Sequence, residues 1–117
     1  MKVKVKITSN FKKEAKPLLK RYKSLVAELE NLEKELHKNP VLGTPLGNNA
    51  YKIRIKISSK GKGKSGGARI ISYLETELIA SLEQVETETI VNLISIYDKS
   101  ETTSISIKEL QRLIANI

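Results

Sequence analysis

The chain contains no cysteine and no tryptophan, and His37 is its only histidine. Without cysteine there are no disulfides, zinc ribbons or thiolate nucleophiles, and a single histidine excludes a multi-histidine metal site. Aromatic residues make up only 4% of the 117 residues, which argues against a protein that stacks single-stranded bases on rows of aromatic rings. No apolar run approaches the roughly 20 residues of a membrane span, and the N-terminus lacks the apolar stretch of a signal peptide. We therefore expect a cytoplasmic protein that uses no metal or cofactor and has no membrane partner.

Positive charge is what the chain has in excess. It has 21 Lys and Arg against 13 Asp and Glu, a net charge of +8. Two segments carry this excess: residues 1–23 contain nine basic residues and one acidic residue, and residues 52–69 contain seven basic residues and no acidic one. Such blocks favour a polyanionic partner, which is nucleic acid, an acidic protein or, less favourably, a membrane surface.

Apolar spacing predicts two adjacent amphipathic helices near the N-terminus. In residues 10–23 apolar side chains recur every three or four positions, although Pro17 lies inside the pattern and is expected to kink or restart the helix. Ser24 is placed to cap the second helix, and Asn39 with Pro40 ends it. The apolar side of the second helix consists of Leu25, Leu29, Leu32 and Leu36.

Four segments have the pattern of strands. The clearest is 51–57, in which isoleucine and tyrosine alternate with lysine and arginine. The others are a short alternating segment at the N-terminus and two apolar runs in the second half of the chain. The predicted strands are 2–7, 51–57, 68–74 and 89–97.

The remaining segments are predicted from turn and capping residues. Residues 39–50 and 58–67 are rich in Gly, Pro, Asn or Ser and are predicted to be loops. The acidic segment 75–88 fits either a long hairpin or a short helix. Ser106 and Glu109 form a capping box that begins a C-terminal helix. The apolar side of that helix is predicted to be Ile107, Leu110, Ile114 and Ile117.

These elements give the order β-α-α-β-β-β-α in one domain that spans residues 1–117. We predict an α+β fold in which a small, mostly antiparallel sheet carries the two N-terminal helices on one face, with an additional C-terminal helix.

The alternation in strand 51–57 predicts where its charges lie. If the isoleucines face the helices, the basic side chains must face the other, open side of the sheet. The next loop is basic and rich in glycine, whose accessible backbone N–H groups favour anions. We therefore predict a phosphate-binding surface on this hairpin, formed by Lys52, Arg54, Lys56, Lys60, Lys62, Lys64 and Arg69.

Conventional catalytic arrangements are scarce. Residues 61–65 end in Gly-Lys-Ser but lack the spacing and following helix of a phosphate-binding P-loop, so an ATP site is excluded. Ser65 has no base to activate it. His37, at the end of the second helix, fits a surface or helix-dipole role.

The remaining candidates for catalysis are basic side chains and one tyrosine. Arg54 and Arg69 can stabilise the charge that develops on a scissile phosphate. Tyr97 and Lys99, at the end of the last strand, can transfer protons if the positive surroundings lower their pKa values. For Tyr97 alone, a structural role at the edge of the core is the alternative interpretation, and Asp98 opposes a lower pKa of Lys99.

Several of these segments together resemble the RelE/ParE superfamily of type II toxin–antitoxin toxins, and especially its HigB-like branch. The resemblance rests on residues 51–73, with their K-I-R, K-G-K and G-G-x-R elements, and on residues 94–101. Residues 11–17 and 39–47 match as well, so that it covers nearly the whole chain.

The resemblance implies a ribosome-dependent mRNA endonuclease, or mRNA interferase, that is metal-independent and is neutralised by an antitoxin. Such toxins commonly use Lys, Arg and Tyr where other nucleases use a histidine pair. By motif position Arg54 and Arg69 would stabilise the phosphorane-like state, and Tyr97 and Lys99 would transfer protons. The RNA backbone, mRNA or ribosomal, would contact Lys52, Lys56, Lys60, Lys62 and Lys64.

Two other functions stay open on the sequence. The first is a ParE-like protein that inhibits DNA gyrase by binding alone. The second is a non-catalytic basic module that binds naked nucleic acid with a steep salt dependence.

Overall fold

A computed structural model describes residues 2–60, 66–80, 85–102 and 104–117. Its elements follow the order β-α-α-β-β-β-β-α, with a 3-10 turn at Ser58–Lys60. The strands are β1 (Lys2–Ile7), β2 (Thr44–Gly47), β3 (Ala50–Ile55), β4 (Ala68–Ala80) and β5 (Val85–Asp98), and the helices are α1 (Ser9–Arg21), α2 (Leu25–Lys38) and α3 (Ile107–Ala115).

The five strands form one sheet in the order β1-β5-β4-β3-β2. The pairs β2–β3, β3–β4 and β4–β5 are antiparallel, and only β1–β5 is parallel. The predicted α+β class and the mostly antiparallel sheet are therefore confirmed. The sheet has one strand more than predicted.

The extra strand, β2, lies in a segment that the sequence predicts to be a loop. Gly47 pairs with Ala50, which leaves Asn48 and Asn49 as the two residues of a hairpin turn. Their φ angles are 53° and 62°, the left-handed region that two-residue hairpin turns require and that asparagine tolerates. The Asn-Asn pair is thus a hairpin signal inside the segment predicted to be a loop.

Both faces of the sheet are covered, at least in part. On one face α1 and α2 pack against the sheet through residues that include Phe11, Leu25 and Ile53, as predicted. On the other face Leu110 and Leu113 of α3 form a second cluster with Ile71, Ile94 and Tyr97. The expectation that this second face is open is therefore wrong where α3 lies.

The helix ends follow from local side-chain bonds. The Thr8 hydroxyl accepts a hydrogen bond from the Phe11 N–H at 3.2 Å and begins α1. α1 continues through Pro17 without a break, so the predicted alternative of a restart at Pro17 is wrong. Both Pro17 and Lys13, whose carbonyl loses its usual N–H partner, are exposed, so that water can bind this carbonyl.

Ser24 precedes α2, but its hydroxyl does not cap the helix. It donates to Glu28 at 3.3 Å and accepts a bond from the Ser59 N–H at 2.9 Å. The predicted cap at Ser106 is confirmed, because its hydroxyl accepts a bond from the Glu109 N–H at 3.1 Å.

The C-terminal helix buries only part of the predicted stripe, because Leu110 and Ile114 pack in the cluster as expected but Ile107 and Ile117 do not. Leu110 and Leu113 are buried, whereas Ile107 is 72% exposed and Ile117, beyond the helix, is 51% exposed. The acidic segment belongs to a long β4–β5 hairpin, whose connection lies outside the described residues. In the described part of the chain, no helix is both long and apolar enough to cross a membrane.

Candidate phosphate-binding site

Three of the four predicted catalytic residues lie side by side across the sheet. Arg54 on β3 is directly opposite Arg69 on β4, and Arg69 is directly opposite Tyr97 on β5. Side chains at directly opposite positions share one face and lie about 5 Å apart at their Cβ atoms. These residues, hereafter the Arg54–Arg69–Tyr97 row, therefore project from the face that carries α3.

Exposure falls steeply along the row. Arg54 is exposed, whereas Arg69 and Tyr97 are only 4% and 9% exposed. Tyr97 belongs to the same apolar cluster as Leu110 and Leu113, so α3 is what covers this end of the row. A phosphate that approaches from solvent can contact Arg54 directly, whereas Arg69 and Tyr97 are too deeply buried to be reached in this arrangement.

The pKa values in the row follow from this burial. Burial, and then the like charge of Arg54, lower the pKa of Arg69. Burial raises the pKa of Tyr97, and the charge of Arg69 offsets this only in part. The condition that positive surroundings would lower the pKa of Tyr97 is therefore not met: the phenol is neutral around pH 7 and can donate a proton, but it is a poor base.

The Tyr97 hydroxyl is buried, and no hydrogen-bond partner for it exists within the described residues. A buried hydroxyl without a partner carries a desolvation cost, which is often a sign of a functional group. Arg69 donates from Nη1 to the Ala68 carbonyl at 3.3 Å. The row thus combines two neighbouring guanidinium groups with one phenol that has a hydrogen bond to give.

Lys99 follows β5 in a turn beside the row. Its backbone N–H donates to the Gly67 carbonyl at 3.0 Å, and its side chain is half-buried. Gly67 itself has no room for a side chain, because an added Cβ would lie 2.0 Å from the Ile55 carbonyl oxygen. The predicted role of this glycine in anion binding stays a prediction, whereas the structure shows that it lets β3 and β4 approach each other at the base of the row.

Lys52 and Lys56 lie on β3 and just beyond it, two positions from Arg54 on either side. With Arg54 they line one wall of a cleft of about 620 Å³, whose other wall is α2. The cleft exists because β2 pairs only with the first half of β3, which leaves the outer edge of the second half open. The α2 wall includes Glu28, whose carboxylate accepts bonds from the Ser58 N–H at 2.6 Å and hydroxyl at 2.7 Å.

Lys60 does not join this basic wall. Its Nζ lies 2.5 Å from Asp98 Oδ1, and its side chain is only 11% exposed. Asp98 also accepts bonds from the Tyr22 hydroxyl at 2.6 Å and from the N–H and hydroxyl of Ser100. Because its charge is neutralised by Asp98, Lys60 is a structural residue in this arrangement and is not a free phosphate contact.

The Asp98 network was not found from the sequence. Burial alone would raise the pKa of Asp98, but the hydrogen bonds from Lys60, Tyr22 and Ser100 outweigh it and hold the pKa well below its usual range. These residues belong to three separate segments, at Tyr22, at Lys60 and at 98–100, so no local pattern connects the segments. The two other predicted contacts, Lys62 and Lys64, lie outside the described residues.

No protein-family model matches this chain, and no solved structure matches it significantly.

Proposed function

We propose that this protein is the toxin of a type II toxin–antitoxin system and cleaves mRNA on the ribosome. The observation that carries the proposal is the Arg54–Arg69–Tyr97 row. Two guanidinium groups at directly opposite positions repel each other, and an anion between them relieves this repulsion. The resemblance to RelE/ParE toxins supplies the reaction, and the row supplies groups suited to it.

The chemistry is an internal attack on the RNA backbone. The 2′-oxygen forms a bond to the adjacent phosphorus and loses its proton, the bond from phosphorus to the 5′-oxygen breaks, and a cyclic phosphate remains. Arg54 and Arg69 stabilise the extra negative charge of the phosphorane-like state. Tyr97, a neutral phenol, gives a proton to the departing 5′-oxygen, and Lys99 is the candidate to accept the proton of the 2′-hydroxyl.

Substrate binding in this scheme begins at the exposed end of the row. Lys52 and Lys56 flank Arg54 and hold the RNA backbone through charge. Arg69 and Tyr97 join the site when α3 moves away from the sheet. The proposed partners are therefore mRNA, the ribosome and an antitoxin encoded by a neighbouring reading frame.

The decisive experiment maps mRNA 5′ ends in translating cells after expression of the protein. Wild type is expected to generate new 5′ ends within translated regions, and Arg54→Ala is expected to reduce cleavage about a hundredfold, the loss typical of one transition-state contact. Arg112→Ala is the matched control, because Arg112 is exposed on α3 and pairs there with Glu109. Intact mRNA with the wild type, or equal losses in both variants, would overturn the proposal.

A second candidate is binding without chemistry, either to DNA gyrase or to naked nucleic acid. The burial of Arg69 and Tyr97 favours it, because a ligand on the exposed surface contacts neither the second guanidinium group nor the phenol. A gyrase inhibitor would block supercoiling without RNA cleavage. A plain nucleic-acid binder would bind RNA without ribosomes, with an affinity that falls steeply with salt.

A further inference from the structure

A second surface, remote from the row, carries an apolar groove edged with lysines. The groove encloses about 460 Å³. Ile7 at the end of β1 and Leu29 on α2 line it, and Ile7 is 51% exposed. The α1 residues that line it are Phe11, Lys12, Ala15, Lys16, Leu19 and Lys20.

These residues form two parallel rows with a spacing of four. On α1, residues 11, 15 and 19 make an apolar row, which Ile7 at the end of β1 extends, and residues 12, 16 and 20 make a row of three exposed lysines beside it. Positions four apart on a helix form ridges, and the groove beside such a ridge is the surface into which a second helix packs. The geometry therefore suits a helix more than a strand or a loop.

The charges around the groove favour a negatively charged partner. No carboxylate lines the groove among the described residues, and Lys12, Lys16 and Lys20 form no ion pair within the described ranges. Three neighbouring ammonium groups attract acidic side chains. Nucleic acid would satisfy the lysines but would leave the apolar row uncovered.

The shape argues against a membrane surface. Phe11 and Ala15, on the floor of the groove, are 2% and 4% exposed, so they are recessed and do not project. Insertion into a bilayer requires apolar side chains that project from the surface, whereas a recessed floor accepts the projecting side chains of a partner.

We propose that this groove docks an amphipathic, acidic helix of a partner protein. Its apolar side chains contact the row from Ile7 to Leu19, and its Glu or Asp residues pair with Lys12, Lys16 and Lys20. Because α1 has 13 residues, at 1.5 Å per residue the docked helix needs about three turns. The groove and the Arg54–Arg69–Tyr97 row belong to opposite faces of the sheet, so this inference does not depend on the proposed function.

The test uses two synthetic amphipathic helices as probes. They share a leucine face at positions three and four apart, and their flanks carry glutamate in one and lysine in the other. Fluorescence anisotropy is expected to show that wild type binds the glutamate peptide. Its affinity for the lysine peptide should be lower by a factor of about ten or more, the effect of two or three exposed charge pairs. Lys12→Glu with Lys16→Glu should reverse this preference.

The matched control is Lys34→Glu with Lys108→Glu, which changes the net charge equally at exposed positions outside the groove. This control should keep the preference for the glutamate peptide. Equal binding of both peptides, no binding, or the same reversal in the control would overturn the proposal. Binding to anionic phospholipid vesicles that is tighter than binding to the glutamate peptide, and that depends on Lys12 and Lys16, would also overturn it. So would self-association in sedimentation experiments that the variant Lys12→Glu with Lys16→Glu abolishes.

Discussion

Lys60 and Asp98 meet across the end of the sheet although 38 positions separate them in the sequence, with Nζ 2.5 Å from Oδ1. The Asp98 side chain is fully buried and the Lys60 side chain is 11% exposed. Through Tyr22 the same carboxylate also contacts the end of α1. This pair therefore joins the 3-10 turn after β3, the end of β5 and the first helix.

Removal of the Asp98 charge should destabilise the protein strongly. Asp98→Asn leaves the Lys60 ammonium without its partner in a largely buried position, which costs about 3 kcal/mol in the free energy of unfolding. Urea denaturation measures this change. Lys60→Met with Asp98→Asn should cost less than the single Asp98 variant, because no isolated charge remains; a larger loss in the double variant would contradict this.

Asp98 should also make stability depend on pH in the acidic range. Its pKa is lowered in the folded protein, so the folded state prefers the ionised form. Its stabilising contribution is complete above the unfolded pKa of about 4 and is lost as the pH falls from there towards the lower folded pKa. Unfolding curves measured from neutral to acidic pH should show a smaller decline in the free energy of unfolding for Asp98→Asn than for wild type. Parallel declines in the two proteins would contradict the assignment.

The pKa of Tyr97 should respond to the packing of α3. Leu113→Ala removes a buried contact of α3, lowers stability by about 2–4 kcal/mol and admits water, so the raised pKa of Tyr97 should fall towards its ordinary value. Spectrophotometric titration, with Tyr97→Phe as the subtracted reference, measures it. Ile107→Ala on the same helix is the control, because Ile107 is 72% exposed. An unchanged titration in Leu113→Ala would show that α3 does not set this pKa.

Gly67→Ala should test the close approach of the two strands that carry the arginines. The added methyl group would meet the Ile55 carbonyl oxygen at 2.0 Å, so the strands must separate, at a cost of about 1–3 kcal/mol. Gly47→Ala offers a comparison: its Cβ would meet no atom within 4 Å, but its φ of +86° is strained for alanine. Thermal unfolding should rank Gly67→Ala as the less stable, and the opposite order would refute the close-approach argument.

The sequence predicts where the helices and strands lie more accurately than it predicts which of their side chains are buried. Alternation around Arg54 places it correctly on the face away from α1 and α2, because strand periodicity is a local property. The cover over Tyr97 is not local, since it depends on α3 packing across the sheet by means of Leu110 and Leu113.

The site shows the same division. Cross-strand register brings together Arg54, Arg69 and Tyr97, the three residues that the sequence singles out by their chemistry and by the resemblance. The partner of Lys60 could not be predicted from the sequence, because nothing in a basic segment indicates that a distant carboxylate will neutralise one of its lysines.

The parallel pairing of β1 with β5 has a consequence for synthesis. Lys2 is opposite Glu88 and Ile7 is opposite Leu93, so the first strand to leave the ribosome must wait for the last one before it can pair. Closing so long a loop slows folding. The edge of the sheet that β1 forms cannot be completed on a chain that lacks β5. A product that terminates before β5 would lack both the partner of β1 and Tyr97, so translation has to pass the last strand before any copy carries the complete row.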